Sequence, residues 1–255
     1  MNGLGGISQR RCASRVAAQL RSQLSSHPKG QAATCLTTDG TRWLGQCMRT
    51  LVVASRKGGA GKTTLATLLA VEAARVGAGP VAVIDLDPMQ GLTLWWEARA
   101  EEAPSLVSAA GGPTAALAAA EASGARLVLV DTPPAAAPVV AEVVGLADLV
   151  LVPVQPSPHD LRAVGATVEL ARRAKRPMVF VVNRTKPRVK LTGEAAISLS
   201  QHGTVAPAML ADRAAYAAAA IDGRTAPELE PGGAAAIEVT SLWTYVASRL
   251  VEELA

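Results

Sequence analysis

The sequence predicts a doubly wound α/β fold, a mostly parallel sheet with helices on both faces. Short runs of Val, Leu and Ile recur without polar alternation, as strands buried on both faces require. Between these runs lie stretches whose apolar residues follow helical spacing. Strand and helix alternate along the chain, and such alternation needs crossover connections and therefore parallel strands.

The strand runs are Leu51–Ser55, Val81–Asp85, Arg126–Asp131, Leu149–Val154, Met178–Asn183 and Thr204–Pro207. The helical stretches are Thr63–Val76, Gln90–Ala100, Thr114–Ala122, Asp160–Arg173, Leu191–His202 and Asp212–Ala220. A closing helix is expected from Trp243 to Leu254, with Leu242, Val246, Leu250 and Leu254 on one face. Apolar residues make up 49% of the 255 and aromatics only 3%, so the core must be built from Val, Leu, Ile and Ala. No apolar run approaches the ~20 residues of a membrane helix. A cytoplasmic protein is expected.

Charge divides the chain. Residues 1–47 carry six Arg or Lys and one Asp, whereas residues 48–255 carry 19 basic against 20 acidic side chains. The net charge of +4 therefore sits in a basic, low-complexity leader, read as disordered or as a mis-assigned start, since Met48 immediately precedes the first strand. Residues 48–255 then form one domain. All three cysteines (Cys12, Cys35, Cys47) lie in the first 47 residues, so no disulfide framework exists in the body. Three scattered histidines offer no metal-ligand spacing.

The most informative stretch is Leu51-Val52-Val53-Ala54-Ser55-Arg56-Lys57-Gly58-Gly59-Ala60-Gly61-Lys62-Thr63-Thr64. A buried strand enters a glycine-rich turn and a helix follows. Gly58, Gly59 and Gly61 let the backbone curl so that successive N–H groups, including those of Ala60, Lys62, Thr63 and Thr64, face an anion. The helix beginning near Lys62 points its positive dipole end the same way. Lys62 supplies a charge for β- and γ-phosphates and the Thr63 hydroxyl suits Mg²⁺. The ordinary G-x-x-x-x-G-K-[ST] pattern fails, because its first glycine would fall at Arg56. The form present, K-G-G-x-G-K-T-T, carries an extra lysine at position 57.

Over about residues 49–253 the chain resembles the ParA/MinD family of deviant Walker A, or P-loop, ATPases, and within it the compact plasmid-partition branch, to which Pro156-Ser157-Pro158-His159-Asp160-Leu161 and Ile221-Asp222-Gly223 are similar. The resemblance implies ATP and Mg²⁺ as ligands, and a homodimer formed on ATP. It implies that Lys57 reaches the other subunit's phosphates as a catalytic group beside Lys62. Asp160 is read first as a helix cap, with a dimer contact as the other reading.

Val83-Ile84-Asp85-Leu86-Asp87-Pro88-Met89-Gln90-Gly91 ends the second strand, and acids at i and i+2 point the same way from a strand end. This segment is similar to the family's D-x-D-P-Q-G motif, with Met89 before Gln90 or in place of the usual glutamine. The resemblance assigns Asp87 to positioning the attacking water and Asp85 to supporting the metal shell. Leu127-Val128-Leu129-Val130-Asp131 has the hhhhD form that orders Mg²⁺, and Thr132-Pro133-Pro134 then leaves the strand as a rigid turn.

Asn183 ends another core strand and offers the donor and acceptor that an adenine edge needs. The family places an adenine-binding Asn there, with Arg184 beside it, and Pro207, Ala208, Met209 and Leu210 are expected to line the other side of the base. Between Glu169 and Glu194 there is no acid, while Arg172, Arg173, Lys175, Arg176, Arg184, Lys186, Arg188 and Lys190 bring eight positive charges. If they share a face, they form a patch that binds phosphate backbone without reading sequence.

The leading expectation is a partition-type ATPase whose ATP dimer binds DNA non-specifically and whose ParB-like or other adaptor triggers hydrolysis. A MinD-like membrane cycle needs a basic amphipathic C-terminal helix, but Trp243–Ala255 has one Arg against Glu252 and Glu253. A metabolic synthetase of related fold would generally lack a lysine like Lys57. An iron–sulfur reductase is excluded by the cysteine-free body.

Overall fold

The computed structural model describes residues 47–134, 138–186 and 189–252, with the side chain of Glu252 excepted. The leader reading falls on residues 1–47, and all but Cys47 of that segment lies outside the described residues.

Seven strands form one sheet: β1 (Arg49–Val53), β2 (Val81–Asp85), β3 (Ser105–Val107), β4 (Leu127–Asp131), β5 (Leu149–Val154), β6 (Met178–Val182) and β7 (Thr204–Val205). Their spatial order is β3-β2-β4-β1-β5-β6-β7, and every pairing is parallel. From β1 the chain crosses to β2 and β3, returns to insert β4 between β2 and β1, and then continues on the other side through β5, β6 and β7. The carboxyl end of β1 is therefore the switch point, where open α/β sheets bind ligands.

Successive strand residues serve opposite layers, because side chains alternate across a strand. Leu51, Val53, Val83, Leu129, Leu151 and Val181 pack with α1 (Lys62–Arg75) and α10 (Ala234–Glu252). Val52, Ile84, Val128, Val130, Val152 and Phe180 pack with α3 (Pro113–Ala122), α4 (Pro138–Leu146) and α6 (Gly165–Arg173). Both faces are covered, so the strands carry no polar alternation. Glu72 in α1, with no exposed surface, accepts from Arg75 Nε at 2.8 Å and Nη2 at 2.7 Å and from the Thr240 hydroxyl at 2.7 Å, fastening α1 to α10.

Val81–Asp85 and Leu149–Val154 form strands with the expected bounds. Five places depart from the expectations, one of them the four-residue helix Ala226–Leu229, for which no element is expected. The β3 strand was not expected: it is three residues long at the sheet edge and only partly buried, so it lacks the apolar run of an inner strand. The Asp160–Arg173 stretch divides into α5 (Pro158–Ala163) and α6, and α5 starts earlier because the Ser157 hydroxyl accepts the Asp160 N–H as its cap. The α4 helix occupies an apolar run that had no assigned element. The α10 helix begins nine residues before Trp243, and Leu242, Trp243, Val246 and Leu250 are its core-facing residues. Leu254, expected on that face, lies outside the described residues. The shorter α2 (Gly91–Glu97), α7 (Lys190–Ser200), α8 (Ala214–Ala220) and α9 (Ala226–Leu229) complete the body.

Candidate phosphate and metal site

The glycine-rich loop leaves β1 at the switch point and enters α1. Gly59 has φ +74° and Gly61 φ +97°, a region that side chains rarely occupy. At Gly61 there is a second constraint, since a Cβ would lie 2.1 Å from Asn183 Nδ2. Ala60 is completely buried, and the Gly61 carbonyl accepts the Leu65 N–H at 2.9 Å, starting the helix. Lys62 stands at the N-terminus of α1 with 6% of its surface exposed. Burial lowers its pKa, and the charges of Asp131 and Asp87 act in the opposite direction.

Register brings the acids to this loop. Val53 and Asp85 flank Asp131 on either side, at the carboxyl ends of β1, β2 and β4. The Thr63 hydroxyl donates to Asp131 Oδ2 at 2.5 Å, and the Thr132 N–H donates to Oδ1 at 3.0 Å. Asp131 has no exposed surface. Burial pushes its carboxyl up to about 7; the Thr63 hydrogen bond and Lys62 hold it down, while Asp85 and Asp87 push it further up. A buried carboxylate with a neighbouring hydroxyl suits a hard cation that supplies the missing charge. Among the described residues no cluster of three or more His, Cys, Asp or Glu could hold a metal ion.

Asp85 is committed to its own loop. Its Oδ2 accepts the Thr93 N–H at 2.9 Å and the Thr93 hydroxyl at 3.0 Å, and Oδ1 accepts the Asp87 N–H at 3.0 Å. It therefore acts on the site by fixing Asp87 and the first turn of α2. Asp87 Oδ1 accepts the Met89 N–H at 3.0 Å. Met89 is 81% exposed, and Gln90 takes the left-handed φ of 53° at the start of α2.

Lys57 is bonded within its own chain. Its ammonium donates to Asp160 Oδ2, an atom that also accepts the Ser157 hydroxyl at 2.5 Å. Asp160 is not the helix cap expected of it: Ser157 is the N-cap, and Asp160, the third residue of α5, supplies the capped N–H and a carboxylate for Lys57, which the sequence did not suggest. Its Oδ1 is buried without a hydrogen bond.

A cavity of about 440 Å³ opens beside Thr63 and Thr64, bounded by Asn183, Arg184, Asp212 and Tyr216 and extending between α2 and α8. Pro207 and Met209 do not line it. Residues 206–211 follow β6 instead of turning toward the site: the Ala206 N–H reaches the Phe180 carbonyl at 2.8 Å and the Leu210 N–H the Val182 carbonyl at 3.1 Å. Leu210 enters one core layer and Met209 packs on the other, so Ala211, Asp212 and Arg213 form the wall. Glu238 of α10 fixes that wall, accepting from Arg213 at 2.6 and 3.0 Å, from the Tyr216 hydroxyl at 2.7 Å and from the Ala211 N–H at 3.0 Å.

The seven described cations of this segment do not form one face. Arg172, Arg173, Lys175 and Arg176 precede β6, whereas Arg184, Lys186 and Lys190 follow it, at its site-facing end. Five strand residues, about 17 Å, separate the groups. The first group is largely engaged: Arg172 and Arg176 donate to the His202 and Gly145 carbonyls and Arg173 pairs with Glu169. Arg184, Lys186 and Lys190 are exposed. Arg188 lies outside the described residues.

Gln155, just past β5, was not singled out in the sequence; its Nε2 donates to the Gly59 carbonyl at 2.7 Å. Its only sequence signal is its place at a strand's carboxyl end.

Comparison with known proteins agrees with this geometry. Residues 51–226 match the family model of the CobQ/CobB/MinD/ParA nucleotide binding domain. The chain is 31% identical over 200 residues to maintenance of carboxysome distribution protein A of Halothiobacillus neapolitanus, covering 74% of this chain and 91% of that protein. It is 37% identical over 128 residues to protein ParA of Rhizobium radiobacter, covering 48% and 56%. The solved structure of apo McdA from Cyanothece superposes with a TM-score of 0.64 at 19% identity, over 80% of this chain and 99% of that one, a likeness of fold.

Proposed function

Because the chain belongs to the CobQ/CobB/MinD/ParA nucleotide-binding family, we propose that it is a cargo-positioning ATPase that dimerises on ATP and hydrolyses it slowly. The observation that carries this reading is the buried meeting of Lys62, Thr63 and Asp131 at the mouth of the glycine loop. Lys62 and the loop N–H groups neutralise the β- and γ-phosphates. Thr63 and Asp131 would hold Mg²⁺, which would screen the phosphate charge. Asp87, oriented by Asp85, positions the attacking water, and Lys57 crosses to the phosphates of a second copy. Asn183, Arg184 and the 211–213 wall take the base.

One relative is named for the maintenance of carboxysome distribution and another is ParA, which supports a cargo-positioning role; in the proposed cycle the dimer holds DNA and an adaptor protein stimulates hydrolysis and release. The cations best suited to hold DNA are Arg184, Lys186 and Lys190, which are exposed at the site-facing end of β6. No described helix is long and apolar enough to cross a membrane, and α10 turns its apolar face into the core.

The test of the site is calorimetric titration with MgATP. Lys62→Ala should abolish binding, because it removes the charge that offsets the phosphates. Unchanged affinity in that variant would overturn the assignment of the loop.

A further inference from the structure

We infer that Gln155 and Asn183 form an amide clamp that holds the phosphate loop in its binding shape, and that both are positioning residues acting through the loop backbone. The inference rests on reading residues 58–63 as the phosphate site.

Three consecutive loop carbonyls each have one donor. Gln155 Nε2 donates to the Gly59 carbonyl at 2.7 Å, Asn183 Nδ2 to the Ala60 carbonyl at 3.0 Å, and the Leu65 N–H to the Gly61 carbonyl at 2.9 Å. A carbonyl and the N–H of the following residue share one rigid plane and point oppositely. Holding these three carbonyls therefore orients the N–H groups of Ala60, Gly61 and Lys62 to the other side of the loop. Without the clamp, rotation of either peptide would turn an oxygen where an anion expects a donor. Gly59 and Gly61, both at left-handed φ, have no Cβ to restrain these peptides, so the orientation must come from outside the loop.

The donors are themselves fixed. Asn183 is 5% exposed, and its Oδ1 accepts the Arg184 N–H at 2.8 Å. Since a backbone N–H can only donate, the nitrogen of this side chain must face Ala60. The space it fills is the reason residue 61 has no side chain. Gln155 and Asn183 follow β5 and β6, adjacent strands of the rigid sheet, so the clamp ties the loop to the sheet edge. Asn183 thereby acquires a role independent of any base.

Tripolyphosphate with Mg²⁺, which has phosphates and no base, separates the possibilities when titrated beside MgATP into the full chain. Gln155→Met keeps the side-chain length without a donor and should weaken both ligands by about fivefold, the factor for one hydrogen bond. Gln155→Glu should lose at least as much. Asn183→Asp, which removes the donor and keeps the shape, should also weaken tripolyphosphate. The melting temperature of the ligand-free Gln155 variants should stay at the wild-type value, because that bond lies at the surface.

If tripolyphosphate binds Gln155→Met and Gln155→Glu as it binds wild type, the clamp is overturned while the phosphate site stands. If Asn183→Asp weakens MgATP alone, Asn183 reads the base and the clamp is likewise overturned. A wild-type chain that binds neither ligand overturns the phosphate site and the clamp together.

Discussion

The Lys57 ammonium is held by the carboxylate of Asp160, across 103 residues of sequence and within one chain. Asp160 is buried and already bonded to Ser157, while Lys57 is about one-third exposed. If Lys57 crosses to a partner's phosphates, as proposed, it has to leave this carboxylate first, and the contact then opposes dimerisation. Asp160→Asn should weaken the hold while keeping the α5 cap. The ATP concentration at half-dimerisation, read by sedimentation or light scattering, should fall roughly fivefold, as about 1 kcal/mol for a partly exposed pair implies. An unchanged midpoint would show that the contact does not oppose dimerisation.

Asp87→Ala should separate binding from turnover. Asp87 is placed by Asp85 through its own N–H and does not bond the loop backbone. The variant should keep MgATP affinity and persist as a dimer, while hydrolysis falls at least about 100-fold, the range for a lost group of this kind. A monomer in the presence of ATP would assign water positioning to another residue.

Asp131 makes a pH prediction for the metal-free, nucleotide-free protein. Its folded pKa of about 7 lies above the ordinary carboxylate value of 3.8. Between these values the native state binds the extra proton, so this group makes stability fall as pH rises. Glu228 and Glu238, whose pKa values are lowered, lose their contribution only as pH falls below the ordinary carboxylate range. From pH 5.5 to 8 the Asp131 effect should dominate among the carboxylates. The melting temperature should decline across that window, and Asp131→Asn should flatten the decline and raise the value at pH 8. A slope unchanged in Asp131→Asn would assign it to other groups.

The parts of the fold legible in the sequence were those where one physical rule acts alone. Strands buried on both faces read as apolar runs; Asp131 ends one such run, and Lys62 and Thr63 open the helix that follows another. The β3 strand gave no signal because an edge strand only partly buried needs no apolar run. The start of α10 was hidden because its Ala-rich opening lacks contrast between faces. Pro207 and Met209 failed as wall residues because the chain keeps bonding to β6 until Leu210, a tertiary preference with no local mark. Gln155 and Gly59 are 96 residues apart, and no spacing rule links them. The basic segment misled because neighbours in sequence sit at opposite ends of a strand.

That division of the cations sets the prediction for DNA. Lys186 and Lys190 are exposed at the site-facing end of β6, whereas Arg172 and Arg176 spend donors on backbone carbonyls. One subunit presents a single small set there, whereas the proposed ATP dimer would present two and gain avidity without new contacts. Binding to random duplexes, followed by fluorescence anisotropy, should therefore need ATP and weaken steeply with salt as counterions are released. Reversing Lys186 and Lys190 to Glu should remove most of it and leave MgATP affinity within about twofold, since neither residue lines the nucleotide cavity. Reversing Arg172 and Lys175 should have a smaller effect. Binding that survives the Lys186 and Lys190 reversal, or that ignores ATP, would place the DNA surface elsewhere on the chain.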